Sequence, residues 1–281
     1  MSTGKRIGFV DLKLENFHAN VYLKALRGDL AARGWSVGGC VSLDEADGRA
    51  WAAKNDVPYL ADLAALDREV DAYAILAPSN PEVHLELCRM VLPFGKPTYV
   101  DKTFAPDLAT ARRIFALADR YGAPVQTSSA LRYTAVQAAA RANPESPVRH
   151  LVAWGGGRSF DEYAIHPVEI AVSCLGHEAE SLMRRGSGDE SQLLINFSGG
   201  RTAVVHVYTN ANTPFAAALT TARGTTYIPI DSSRIFVDMA AAILDFFASG
   251  QPSIDRRESL AIRRILDVAA RPAALRRFVA L

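Results

Sequence analysis

The stretch Gly95-Lys96-Pro97-Thr98-Tyr99-Val100-Asp101-Lys102-Thr103 decides the fold. Its centre, Thr98-Tyr99-Val100, is β-branched or aromatic and follows a Gly-Lys turn, so it reads as a short strand. Phe104-Ala105-Pro106-Asp107 comes next, and then a run over residues 108–121 whose apolar Ala111, Ile114, Phe115 and Leu117 recur near the helical period. Strand, loop and helix in that order put Lys102 at the carboxyl end of a strand, where an open α/β sheet presents groups to a ligand. Upstream, residues 6–11 read as a buried strand, and 17–30 as an amphipathic helix with Phe17, Val21, Ala25, Leu26 and Leu30 on one face and Asn16 as N-cap. A second strand follows at 35–42, a helix around 45–55, a third strand near 72–76 and a helix at 82–90. Downstream, the helix after Lys102 ends at Gly122, and Pro124-Val125-Gln126-Thr127 is one more strand. Strands separated by helices imply a doubly wound parallel sheet with right-handed crossovers, a Rossmann domain over residues 1–127.

The second half changes character. Past the linker-like Asn143-Pro144-Glu145-Ser146-Pro147, strands are expected at 148–154, 192–197, 202–209 and 216–221. Ser198-Gly199-Gly200-Arg201 is a hairpin signal between the second and third of these. Helices at 235–249, ended by Gly250, and 257–269 close the chain. The expectation for residues 128–281 is an α+β domain with a mostly antiparallel sheet, serving substrate binding and oligomerisation. An apolar open sheet face must be covered, which predicts a homodimer or homotetramer through that sheet.

Composition bounds the function. A chain of 281 residues is long for one hydrophobic core. With 49% hydrophobic residues, 22% charged residues and a net charge of +1, it has no basic block of the kind nucleic acid demands. No apolar run reaches the roughly 20 residues of a membrane span, and Met1-Ser2-Thr3-Gly4-Lys5-Arg6 leads into a strand without a signal-peptide core, so the expected location is cytoplasmic. Cys40, Cys88 and Cys174 are odd in number, far apart and in apolar settings, which reads as small core residues; no metal site is expected.

The turn after the first strand is unusual for such a fold. A Rossmann domain normally places Gly-x-Gly-x-x-Gly there, so that backbone can approach a pyrophosphate at a helix N-terminus. This chain reads Val10-Asp11-Leu12-Lys13-Leu14-Glu15-Asn16-Phe17-His18-Ala19, without a glycine. Asp11 and Glu15 bring carboxylates to a place where phosphate charge is expected, and like charges within about 4–6 Å repel. Lys13, Asn16 and His18 offset this as candidate cofactor contacts. The second strand ends on Ser42, with Asp44 just beyond, where an acid usually holds the ribose hydroxyls. Two readings stand for this turn: a weak or shifted dinucleotide site, and a purely structural strand-to-helix connection.

The lysine stretch resembles the glucose-fructose oxidoreductase/inositol dehydrogenase (Gfo/Idh/MocA) family, whose hallmark is Gly-Lys-x-Val-x-x-Glu-Lys-Pro; here its end reads Asp101-Lys102-Thr103. Ala77-Pro78-Ser79-Asn80-Pro81-Glu82-Val83-His84 resembles the family's Thr-Pro-Asn-x-x-His loop, and Ser129-Ala130-Leu131-Arg132-Tyr133 its entry to the second domain. Gly155-Gly156-Gly157-Arg158-Ser159-Phe160-Asp161-Glu162-Tyr163-Ala164-Ile165-His166-Pro167-Val168-Glu169 resembles its pattern of glycine loop, acid, histidine four residues on, and a further acid. Phe236-Val237-Asp238-Met239, Gly250-Gln251-Pro252 and Ser259-Leu260 resemble its closing helices, and the second half is short for the family, which implies strands missing at its edge or in loops. The resemblance implies an oxidoreductase using NAD or NADP on a sugar, inositol or related polyhydroxylated molecule by hydride transfer. Lys102 and His166 would be catalytic, with Glu162 four residues back on one helical face to orient the imidazole. Cofactor contacts would come from Pro78, Ser79, Asn80, His84, Asp101 and Lys102, and substrate contacts from Arg132, Arg158, Asp161, Tyr163 and Glu169. A non-catalytic sugar-binding or regulatory protein, and a redox-neutral lyase, epimerase or hydrolase, are the alternatives.

Overall fold

The computed structural model describes residues 4–281 and divides into two compact units. The first comprises the chain up to Ser128 together with Phe236–Ile254; the second comprises Ser129–Ile235 and Asp255–Leu281.

The first unit opens with β1 (Lys5–Asp11), α1 (Phe17–Arg27), β2 (Trp35–Ser42), α2 (Glu45–Lys54), α3 (Leu63–Glu69), β3 (Ala72–Ile75) and α4 (His84–Val91). It continues through β4 (Thr98–Val100), α5 (Leu108–Tyr121) and β5 (Val125–Gln126). All strands are parallel in the order β2-β1-β3-β4-β5, the doubly wound arrangement. The helices start where side chains replace missing backbone acceptors: Asn16 accepts from Ala19 N, and Asp107 from Thr110 N. Gly122, at φ 61°, closes α5 in a conformation that other residues avoid.

The second unit contains α6 (Ala135–Arg141), β6 (His150–Gly155), α7 (Phe160–Tyr163), α8 (Ile165–Leu175), β7 (Ala179–Ser187), β8 (Glu190–Phe197), β9 (Arg201–Tyr208), β10 (Ala216–Thr221) and β11 (Gly224–Pro229). After α9 (Ile235–Ser249) come α10 (Arg256–Ala269) and β12 (Val279–Ala280). Its seven strands run β11-β10-β6-β9-β8-β7-β12, antiparallel except for the parallel pair β6–β9. Of these, β7, β11 and β12 add to the four strands that the sequence pattern marks. One face of this sheet carries the buried row Leu182, Ile195, Ala203, Leu151 and Leu219, in register across five strands.

Residues 128–281 do not pack as one block, because α9 from Phe236 onward joins the first unit. Ala240, Ile243, Leu244 and Phe247 form a fully apolar lining with Ile7, Phe9, Tyr22, Leu26, Ala74 and Tyr99. Burial of such side chains is worth roughly 1.5–3 kcal/mol each, which outweighs proximity along the chain. Among the described residues no helix is long and apolar enough to cross a membrane.

Candidate functional site

The glycine-free turn folds without strain. Among the described residues, the non-glycine residues with positive φ are Asp56 and Ala77, so nothing between Asp11 and His18 occupies the left-handed region that would demand glycine. The turn is braced by Asp11 instead. Its Oδ1 accepts from Lys13 N at 3.2 Å, and its Oδ2 accepts from Asn16 Nδ2 at 2.9 Å. The Ala77 amide donates to it as well. Asp11 is therefore turned into the protein, and Glu15 is held at the surface by Lys54 at 2.8 Å and Asn20 at 3.0 Å.

Asp11 is 1% exposed, and burial pushes its pKa from 3.8 up to about 6 against the pull of its donors. A folded-state pKa above the unfolded one means that the native chain holds the proton more tightly between pH 4 and 6. Stability contributed by this group is therefore full below pH 4 and lost as pH rises through 6. Relative to Asp11→Ala, the stability of the parent is expected to fall by about 2 kcal/mol between pH 4 and 7. Urea unfolding at each pH measures it; a difference that does not change with pH would exclude Asp11 as the titrating group.

At the end of β2, Ser42 Oγ donates to Asp44 O at 2.6 Å, and Asp44 caps α2 by accepting from Asp47 N at 3.1 Å. Lys13 Nζ lies 3.5 Å from Asp44 Oδ2, so the acid that follows Ser42 is paired with a cation of the first turn. The Asp47 amide and Lys13 hold the Asp44 carboxyl below the usual carboxylate range.

Beyond β3 and β4, two loops are tied together. Lys102 is 8% exposed, and its Nζ donates to Pro78 O at 3.0 Å, its one hydrogen-bond acceptor among the described residues. An ammonium has three donors, so two remain for a ligand oxygen. Asp101 is fully buried; its Oδ1 accepts from Lys102 N at 2.7 Å, and its Oδ2 pairs with His18 Nδ1. His84 is fully buried, with Nδ1 3.0 Å from Phe104 O and Nε2 3.1 and 3.2 Å from Leu76 O and Ala77 O. Burial lowers its pKa. These contacts, with the Ala77 amide on Asp11, hold Ala77 at φ 38°, a costly conformation that survives only where surroundings dictate it. Asn80 Nδ2 donates to Glu82 Oε1 at 2.9 Å, and Ser79 follows Pro78 in the same loop.

In the second unit, Ser159 caps α7 by accepting from Glu162 N, and α8 begins two residues after α7 ends, with Pro167 in its first turn, where a missing N–H costs little. His166 Nδ1 lies 2.7 Å from Ser129 Oγ, and its ring is flanked by Tyr163 and Phe215 with centroids at 5.7 and 6.0 Å. Ser129 is a partner that spacing along the helix did not reveal. Gly157 is required by close approach: a Cβ there would lie 2.0 Å from the Tyr163 ring. Arg158 and Asp161 are exposed, and Glu162 and Tyr163 are half-buried.

Arg132 and Glu169 are paired with each other in a buried cluster. Arg132 Nε donates to Glu169 Oε1, and Nη1 donates to Glu258 Oε2 at 2.6 Å, bringing in an acid of α10. Burial alone would lower the pKa of the guanidinium; the two carboxylates outweigh it and hold the pKa above its ordinary value. Arg132 Nη2 is buried without a hydrogen-bond partner among the described residues. Cys40 and Cys174 are pushed up to about 12 by burial, and Cys88 is raised too, which makes all three thiols poor nucleophiles. Among the described residues no three His, Cys, Asp or Glu side chains are grouped to hold a metal ion.

Residues 12–129 match the model of the Gfo/Idh/MocA family, described as an oxidoreductase family with an NAD-binding Rossmann fold. No curated protein matches the chain significantly. Among solved structures, an oxidoreductase from Agrobacterium radiobacter in complex with NAD+, L-tartaric acid and magnesium aligns with a TM-score of 0.76 and 16% identity, over 99% of this chain and 98% of its own. GenD2 from gentamicin A biosynthesis, in complex with NAD, aligns at 0.80 and 15% identity over 100% and 98%. UDP-N-acetylglucosamine 3-dehydrogenase from Acidithiobacillus ferrooxidans aligns at 0.75 and 15% identity over 95% of each chain. At such identities the likeness is one of fold.

Proposed function

Over residues 12–129 the chain belongs to the Gfo/Idh/MocA oxidoreductases, and on that premise we propose that it is an NAD(P)-dependent dehydrogenase or reductase acting on a sugar, inositol or related polyhydroxylated molecule. The observation that carries this reading is Lys102: a nearly buried ammonium with one protein acceptor, at the carboxyl edge of a Rossmann sheet. The turn after β1 would not oppose a dinucleotide by charge, since its two carboxylates are engaged within the protein and Lys13 stands beside them. Lys13, Asn16, Ser79 and Asn80 would hold it, while His18 is buried against Asp101. When bound, the nicotinamide supplies or accepts the hydride. Lys102 would donate hydrogen bonds to the reacting oxygen and stabilise developing alkoxide charge. His166 would take the hydroxyl proton, being the side chain whose unperturbed pKa is near neutral. Its contact with Ser129 fixes the ring, and Glu162 would set the tautomer. Arg158, Asp161 and Tyr163 would contact substrate hydroxyls.

The test is direct. Purified protein is denatured and inspected for released dinucleotide by absorbance and mass, then titrated with NAD and NADP and screened against sugars and inositols by nicotinamide absorbance. Binding of at least one cofactor and turnover of a polyol are expected. Binding of a sugar with neither cofactor would overturn the reading in favour of a non-catalytic binding protein.

The second sheet supports self-association. Its other face carries the row Met183, Leu194, Val204, Val152, Ala218 and Tyr227, in register over six strands and only partly covered. A second copy of this chain covers such an apolar face. Val204→Glu, at the centre of the row, is expected to shift a dimer or tetramer to a smaller species by light scattering without lowering the unfolding midpoint. A parent that is already monomeric at working concentration would exclude the association.

A further inference from the structure

The segment that carries Lys102 is itself buried: Asp101, Lys102, Thr103 and Phe104 are 0, 8, 8 and 5% exposed. Burying a carboxylate such as Asp101 is costly unless it is paired and hydrogen-bonded. The donors that satisfy it are few and specific. Oδ1 accepts from Lys102 N at 2.7 Å and from Tyr99 Oη at 3.3 Å, while Oδ2 pairs with His18 Nδ1. His18 comes from the first turn of α1, 83 residues earlier in the sequence, and is 7% exposed. Phe17, Tyr22 and Phe236 pack edge-on against its ring, with centroids at 5.8, 5.7 and 5.5 Å. At the other end of the segment, His84 from the first turn of α4 holds Phe104 O. Two helix starts thus grip the two ends of one short loop.

We propose that His18 is a positioning residue for Lys102, acting through Asp101. The imidazole holds one oxygen of the carboxylate, and the other oxygen is thereby aimed at the Lys102 amide. This sets the backbone from which the ammonium reaches Pro78 O. Without His18, Asp101 keeps two donors on Oδ1 but loses the partner that anchors Oδ2, and the carboxylate is free to turn, which releases the Lys102 amide. Importance for turnover rests on the reading of Lys102 as the reactive cation; the geometry does not.

The experiment is amide hydrogen exchange on the full chain, parent and variants, followed at Lys102 with a core strand amide such as Ile75 as reference. In His18→Ala, exchange at Lys102 should rise about 10–100-fold, the worth of a hydrogen bond to a charged group, while the reference stays constant. The side-chain nitrogen of asparagine lies where Nδ1 lies, and that of glutamine where Nε2 lies. His18→Asn should therefore restore most of the protection and His18→Gln should not. Unchanged exchange in His18→Ala, or rescue by glutamine in place of asparagine, overturns the proposal. If the alanine variant does not fold, the asparagine–glutamine contrast decides it alone. Once a substrate is available, kcat should fall in the same order as protection, with KM nearly constant. The expected exchange without any turnover would leave this inference standing and remove the dehydrogenase reading; turnover with unchanged exchange would do the reverse.

Discussion

Lys102→Met is expected to lower turnover about 10²–10⁴-fold without lowering the unfolding midpoint, the range supplied by a group that stabilises charge or moves a proton in the transition state. Methionine keeps most of the apolar stem that packs in the buried loop and removes only the ammonium. Because Lys102 donates to a single carbonyl, Pro78 O, its removal leaves no buried charge unpaired, and the fold should survive. His166→Ala should fall in the same range. Glu162→Gln should cost less than either. Steady-state kinetics on a substrate found by screening measure all three, and full turnover by Lys102→Met would remove Lys102 from the chemistry.

Arg132→Leu should act on stability. The guanidinium lies between Glu169 and Glu258, and Glu169 is 2% exposed. Burial already raises the Glu169 pKa even against Arg132, so the carboxylate depends on its cation. Removing one partner of a buried ion pair typically costs about 3–5 kcal/mol, because the other charge is left behind. Combining Arg132→Leu with Glu169→Leu should recover part of the loss, a coupling that a double-mutant cycle by urea unfolding reads directly. A group whose main task is to bind substrate would instead change KM and leave unfolding nearly constant. The expected loss of stability therefore separates the cluster's structural work from the substrate contacts that the sequence motif suggests for Arg132 and Glu169.

Much of the architecture was legible because it is written locally. Helix runs closed by Gly122 and Gly250 marked Leu108–Tyr121 and Ile235–Ser249, and strands were expected at Trp35–Ser42 and Ala216–Thr221, with the observed bounds. Among the elements not foreseen, three carry weak local signals: α3 is short and charged, β11 is largely exposed, and β12 spans two residues. The place of Lys102 at a strand end was also readable, since strand, loop and helix follow one another in the chain. Its surroundings were not. His18 meets Asp101 across 83 residues, Ser129 meets His166 across 37, and Arg132 meets Glu258 across 126. No periodicity encodes such pairings, because they depend on which strand ends and helix starts the topology brings side by side. Asp11 shows the same division: its sequence position announced a carboxylate where phosphate charge was expected. Only the folded turn, with donors from Lys13, Asn16 and Ala77, decided that it faces the protein.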